Sequence, residues 1–214
     1  MKKFLLLISS VLLTFGANAQ VSKFEGASAT VALAYQSYSW DEASVVTVSG
    51  LAFPSQTLAS KGLVGKIGLD YTWRLSEESF LAIGFDYATN GGGNGQANFT
   101  YQGAVQSVDQ GKMKQKAKIF IAPSILINAD TLGYIKLGYA QYQLKLATSG
   151  THPSQSAITF GLGTKFMQSE NHYFFVEANM LSGRSKTYTP PTTASTATAK
   201  PKGSEILVGY GIKF

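Results

Sequence analysis

Large apolar residues alternate with small or polar ones at a period of two along most of this chain, and that pattern restricts what it can fold into more than any other feature. It is cleanest in the last stretch, 205–214. There Ile206, Val208, Tyr210, Ile212 and Phe214 fall on one face and Glu205, Gly209, Gly211 and Lys213 on the other, with Leu207 the one exception. A β-strand sorts residues this way, because successive side chains point to opposite faces; a helix does not. The same alternation recurs at 29–40 (Val31, Leu33, Tyr35), 63–73 (Leu63, Ile67, Leu69, Tyr71, Trp73), 81–88 (Leu81, Ile83, Phe85, Tyr87) and 118–127 (Ile119, Ile121, Ile125, Ile127). It returns at 135–140 (Ile135, Leu137, Tyr139), 158–166 (Ile158, Phe160, Leu162, Phe166) and 174–180 (Phe174, Val176, Met180). Pro123 on the apolar phase of the fourth segment predicts a bulge, since proline donates nothing to a ladder. The parity change at Tyr142, Leu144 and Leu146 predicts a second bulge, or the strand leaving its apolar surroundings.

The first nineteen residues stand apart from this pattern. Lys2 and Lys3 form a positive start, Phe4 to Phe15 is a short apolar run, and Ala17-Asn18-Ala19 supplies a small-x-small cleavage site, so the mature chain is expected to begin at Gln20. That divides the chain into a leader, 1–19, and one domain, 20–214. The chain has no cysteine and only two histidines, which argues against disulfides and against a thiolate or histidine-rich metal site. Its formal charge of +6 falls to +4 when Lys2 and Lys3 leave, and the remaining basic residues are scattered, so no nucleic-acid partner is expected.

The connections between the eight segments alternate in length. Those near 75–79, 128–131 and 169–172 are short, and those spanning 41–60, 90–114, 147–155 and 183–203 are long. Outer-membrane barrels have short turns on one side and long loops on the other. An even number of strands puts both chain ends on the short-turn side. A soluble barrel would turn the bulky face inward, but eight strands enclose only enough room for side chains to fill. The small-residue face fits that lumen and the bulky face would overpack it. Lys66, Asp70, Asp86, Lys118, Lys136, Lys165 and Glu177 all lie on the small-residue face, so none meets lipid, where a basic residue at the midplane costs about 2–4 kcal/mol. Trp73, Phe166, Phe174 and Phe214 gather near the short turns, as an interfacial girdle would. An open sheet edge is not tolerated in lipid, so the last strand must close on the first. The fold class is therefore all-β, an eight-stranded antiparallel up-and-down transmembrane barrel.

With its leader, strand number, loop asymmetry and terminal aromatic, the chain resembles the small outer-membrane barrels of the OmpA/OmpX and opacity-protein type. The resemblance covers the whole mature chain and rests on pattern. It implies a Gram-negative outer-membrane location with both termini periplasmic, and outer-membrane lipid and lipopolysaccharide as surroundings. It also implies that the barrel insertion machinery reads Tyr210, Ile212 and Phe214 as an assembly signal.

No motif carries chemistry. The glycine run 91–95 lacks a following Gly-Lys-Ser/Thr, so it is a loop tip and not a phosphate cradle. His152-Pro-Ser154 has the spacing of a lipid-deacylase His-x-Ser pair. It falls in a long loop, however, and the downstream Glu170 and Glu177 lie too far along the chain to orient its base. No cofactor, metal or catalytic residue is expected. The lumen charges admit two readings, a charge-lined narrow channel or a salt-bridged plug. The plug is favoured because a narrow interior cannot solvate isolated charges. Within it, the hairpin joining segments six and seven is expected to set Lys165 beside Glu177. The leading functional expectation is a non-enzymatic surface protein whose loops engage a host or matrix ligand or support the envelope. A porin-like channel comes second and a lipid A-modifying enzyme third.

Overall fold

The computed structural model describes the backbone of residues 23–42, 46–48, 51–53, 56–89, 95–101, 104–146, 150–151, 155–188 and 197–214, and the side chains of 23–39, 60–89, 115–143, 155–185 and 200–214. The expected leader and its cleavage site at Ala17, Ala19 and Gln20 lie outside the described residues, as does His152. All described regular structure is β. Eight strands form the wall: β1 Gly26–Glu42, β2 Gln56–Arg74, β3 Ser79–Ala88, β4 Ala104–Asn128, β5 Thr131–Leu146, β6 Gln155–Met167, β7 His172–Gly183 and β8 Ala197–Lys213. Each pairs antiparallel with the next, and β8 returns to β1 from Ser28↔Lys213 to Glu42↔Ala199, so the sheet closes on itself.

Closure explains the glycines of the terminal strand. Gly209 and Gly211 face inward beneath the Phe175 and Tyr173 rings of β7, which occupy the space a Cβ would need. At the start of β1, Gly26 has φ +119°, a region L side chains rarely adopt, and this lets the chain turn under the barrel. The turn carries Phe24 into the lumen from the short-turn end, where it packs edge-on to Phe80 and closes the floor with Leu132.

The bulky face points outward along every strand. Val31, Leu69, Ile83, Ile121, Leu137, Ile158, Val176 and Ile206 are all exposed, the wall that lipid would cover. The wall also continues well past the membrane. A transmembrane strand needs about 9–11 residues, whereas β4 has 25 and β2 has 19. Gly95–Tyr101 takes over from β3 above Ala88, pairing with β4 and bridging to β2. Gly150–Thr151 pairs with the end of β5, Lys186–Tyr188 pairs with β8, and Val46–Val48 and Leu51–Phe53 form a hairpin of their own. Much of what sequence alternation assigns to loops is therefore ladder. The alternation fades there because neither face of a strand above the membrane meets lipid.

The bulge expected at Pro123 is corrected, and the irregularity expected at Tyr142 falls on the neighbouring strand, where the register shifts opposite Gln141 and Tyr142. Pro123 sits outward in unbroken register opposite Leu81, with no bulge at that point. The register shifts of β4 lie instead between Gln115 and Ala117 and between Leu126 and Asn128. Tyr142 does not change phase. It continues the inward row of Ala140 and is an aromatic on the lumen side, packed edge-on against Tyr38 at a centroid distance of 5.6 Å.

Candidate functional site

The lumen is built in storeys. Above the aromatic floor, Phe120, Tyr134, Ala82 and Ala122 form an apolar cluster on one side. Opposite it Lys165 Nζ reaches Asp70 Oδ1 at 3.2 Å, Thr72 donates to the same carboxylate oxygen at 3.3 Å, and the Tyr173 hydroxyl donates to Ser28 Oγ at 2.9 Å.

The middle storey centres on Lys118, Lys136, Asp86 and Glu177. Lys136 Nζ lies 2.5 Å from Glu177 Oε2, while Lys118 Nζ lies 2.9 Å from Asp86 Oδ2 and 3.7 Å from Glu177 Oε1. Neither Lys118 Nζ nor Asp86 Oδ2 has a partner in hydrogen-bonding geometry, so their contact is electrostatic and not a directed bond. Lys136 Nζ also stands 4.1 Å from the centroid of the Phe120 ring, a cation–π contact in a site with little water. The Tyr134 hydroxyl and the Asn179 amide donate to Glu177 at 2.9 and 2.7 Å.

In the upper storey Glu205 is the hub. Its carboxylate takes Lys66 Nζ at 2.6 and 2.7 Å, Gln36 at 2.9 Å, Asn179 at 2.8 Å and the Tyr38 hydroxyl at 3.3 Å. Lys66 also donates to Gln115 Oε1 at 3.0 Å.

The structure thus brings all seven sequence-predicted charges into one interior, and it corrects one expected partnership. Lys165 and Glu177 do share a face of the β6–β7 pair, but Lys165 stands opposite Phe175 and Glu177 opposite Gly163. Lys165 bonds across the lumen to Asp70, and Glu177 bonds to Lys136 of β5. The cause is the glycine row of β6. Tyr134 lies over Gly163, in space a side chain would fill, so β5 residues reach across β6 to β7. Neighbour-strand reasoning has no means of seeing that reach.

It also missed Glu205, Asn179, Tyr134, Gln36 and Gln115. Glu205 carried a readable signal, as the charged residue on the small-residue face of the terminal strand that ought to have needed a counter-charge. With it included, Lys66, Lys118, Lys136 and Lys165 balance Asp70, Asp86, Glu177 and Glu205. A cavity of about 30 Å³ remains among them, room for little more than a water or two. Gln36 Oε1, Gln115 Nε2, Thr159 Oγ1 and Asn179 Oδ1 have no protein partner, and such groups are where buried water binds. Among the described residues no three or more His, Cys, Asp or Glu side chains come together as a metal site.

The wall and its closure can be set beside known structures. Outer membrane protein OprG from Pseudomonas aeruginosa aligns with a TM-score of 0.54 at 12% identity, over 91% of this chain and 99% of that one. Neisserial surface protein A aligns with a TM-score of 0.50 at 11% identity, over 89% of this chain and 98% of that one. The fold is that of the small eight-stranded outer-membrane barrels. The attachment invasion locus protein of Yersinia pestis matches with a TM-score of 0.43 at 16% identity, covering 89% of this chain and 99% of its own. No protein-family model matches the sequence, and no curated protein matches it significantly.

Proposed function

We propose that this barrel is a non-enzymatic surface protein of a Gram-negative outer membrane, with both termini in the periplasm and its strand-extended loops displayed outside. The observation that carries the reading is the filled lumen. Among the described residues its charges are paired and balanced, its floor is closed by Phe24, Phe80 and Leu132, and the cavity among the charges is about 30 Å³. A conducting path needs continuous water, and side chains that fill an eight-stranded interior leave little room for it. With transport disfavoured, the part of the molecule built beyond what membrane spanning needs is the upper wall, above all the 25 residues of β4 and the hairpin against it. Long ribbons of this kind would hold loops away from the lipid headgroups, where a host, matrix or cell-surface ligand can reach them.

The test compares cells carrying the whole barrel with cells carrying a barrel whose long connections are cut back to tight turns. Binding to host cells or matrix should be lost in the second while heat-modifiable folding persists. Equal binding by both would overturn the reading. Lipid A mass spectra should be the same with and without the protein, and a changed acyl pattern would replace it with an enzyme.

A further inference from the structure

The floor of the lumen is put together from two sources. On β3, β4, β5 and β6 the inward rows step down from Ala82, Ser124, Tyr134 and Lys165, which line the central cavity, to Phe80, Leu126, Leu132 and Met167. Each step is two residues, about 7 Å along a strand, so these four apolar side chains lie directly beneath the cavity. On β7, β8, β1 and β2 the same step leads from Phe175, Leu207, Thr30 and Asp70 to Tyr173, Gly209, Ser28 and Thr72. That half of the wall offers polar or small groups, and the apolar floor is completed from outside the wall. Phe24 precedes β1, whose pairing begins at Gly26↔Thr72, and it is buried against Phe80 with ring centroids 6.0 Å apart.

The two sources are held differently. Phe80 has ladder partners on both sides, Arg74 and Ser124, and so does Leu132, with Leu126 and Lys165. Phe24 instead joins the wall through Gly26, whose φ of +119° is a conformation that glycine adopts readily and other residues rarely do. On its other side Lys23 Nζ lies 2.6 Å from Asp130 Oδ1 in the β4–β5 turn. Both side chains of that pair are about half exposed, so solvent weakens it. The bonds that close the barrel lie just inside the glycine: Phe214 donates its backbone N–H to Ala27 O at 2.9 Å, and Ser28 stands opposite Lys213. Rotation about Gly26 therefore carries Phe24 out of the floor and leaves every rung from Ala27 onward in place. Burial of the ring favours the closed position.

We propose that Lys23–Gly26 is a hinged stopper: Phe24 swings in and out of the floor about Gly26 and opens the central cavity to the short-turn side alone, because Lys66 and Glu205 close the interior above it. The device admits water and small solutes to the Asp70–Lys165 pair from one end without making a path through the barrel. It is independent of what the loops bind.

The chain has no cysteine, so one introduced thiol reports alone. Ser124→Cys lies on the cavity, and Thr159→Cys is buried in the lumen outside it. Each is placed in the full chain, refolded in phosphocholine micelles, and its rate of reaction with a small methanethiosulfonate is followed by mass spectrometry. With no other change, Ser124→Cys should react slowly but measurably. Adding Phe24→Ala should speed it by on the order of tenfold. Lys23→Glu, which makes the Asp130 contact repulsive, should speed it by about twofold to fivefold, the worth of an exposed ion pair. Lys23→Glu with Asp130→Lys should restore the original rate. Thr159→Cys should stay protected in every background. An unchanged Ser124→Cys rate in Phe24→Ala refutes the stopper. A faster rate there with no response to the charge changes makes Phe24 a fixed plug and refutes the swing. Thr159→Cys reacting in step with Ser124→Cys means that the whole barrel has loosened, and overturns the proposal too. Current steps from Phe24→Ala in planar bilayers would refute opening to one end alone, whereas steps from the wild type count against the sealed lumen, so the two failures are told apart.

Discussion

Glu205→Gln is the sharpest perturbation of the lumen, because the substitution keeps shape and removes charge. Glu205 is almost fully buried and its carboxylate accepts from Lys66 twice, Gln36, Asn179 and Tyr38. Glutamine would offer one acceptor oxygen and present an amide that is itself a donor to a ring of donors. Lys66, also buried, would keep Gln115 Oε1 at 3.0 Å and lose its counter-ion. Breaking a buried pair from one side typically costs about 3–5 kcal/mol, and the upper half of that range is expected here, since the other donors lose a charged acceptor too. Lys66→Met should cost less, because Glu205 retains Gln36, Asn179 and Tyr38, with Lys118 at 3.9 Å. The double variant removes both charges together, so it should fall short of the sum by about 1.5–3 kcal/mol, the worth of a charged hydrogen bond. Lys165→Met with Glu177→Gln is the internal control. These two residues bond to different partners, so the cycle should close to within about 0.5 kcal/mol. The assay is urea unfolding from phosphatidylcholine vesicles, followed by tryptophan fluorescence and by heat-modifiable mobility. Additivity at Lys66/Glu205, or strong coupling at Lys165/Glu177, would refute the partner assignment.

Three other outcomes follow from the same wall. Leu33→Arg places a cation on the lipid-facing row at mid-belt, opposite Val208, and should destabilise the barrel by about 2–4 kcal/mol in the same unfolding assay. Deleting Phe214, which lies at the end of the outward row with its backbone nitrogen bonded to Ala27 O at 2.9 Å, should leave folding yield in vitro nearly unchanged but reduce assembly in cells; equal yields in the two settings would remove any role in recognition by the insertion machinery. Protease added to intact cells should cut near Gly92 or Ser195 and not in the Asp130 turn, and external cleavage at Asp130 would invert the orientation.

The membrane-facing half of the fold was legible because lipid and lumen impose opposite chemistry on alternate residues. Ile206, Val208 and Ile212 declare one face, and Gly209 and Gly211 the other. That signal ends where both faces leave the apolar belt, so the upper parts of β2 and β4 read as loops although their ladders continue. The lumen was legible as a set of charges but not as a set of pairs. Lys165 and Glu177 look like partners in a hairpin register, and nothing in their spacing reveals that Gly163 lets Tyr134 and Lys136 reach over β6. Tyr142 misled for a related reason, because a large aromatic pointing inward looks like a slip of phase until Tyr38 is seen packed against it.

Planar-bilayer conductance of the refolded chain tests the central claim most directly, that balanced, paired side chains and an aromatic floor seal the interior. The account predicts a silent wild type, without discrete current steps, at an applied potential and salt concentration where open porins conduct. Reproducible unitary steps from the wild type, altered in ion selectivity by Lys118→Met, would contradict it and make the lumen a charge-lined channel.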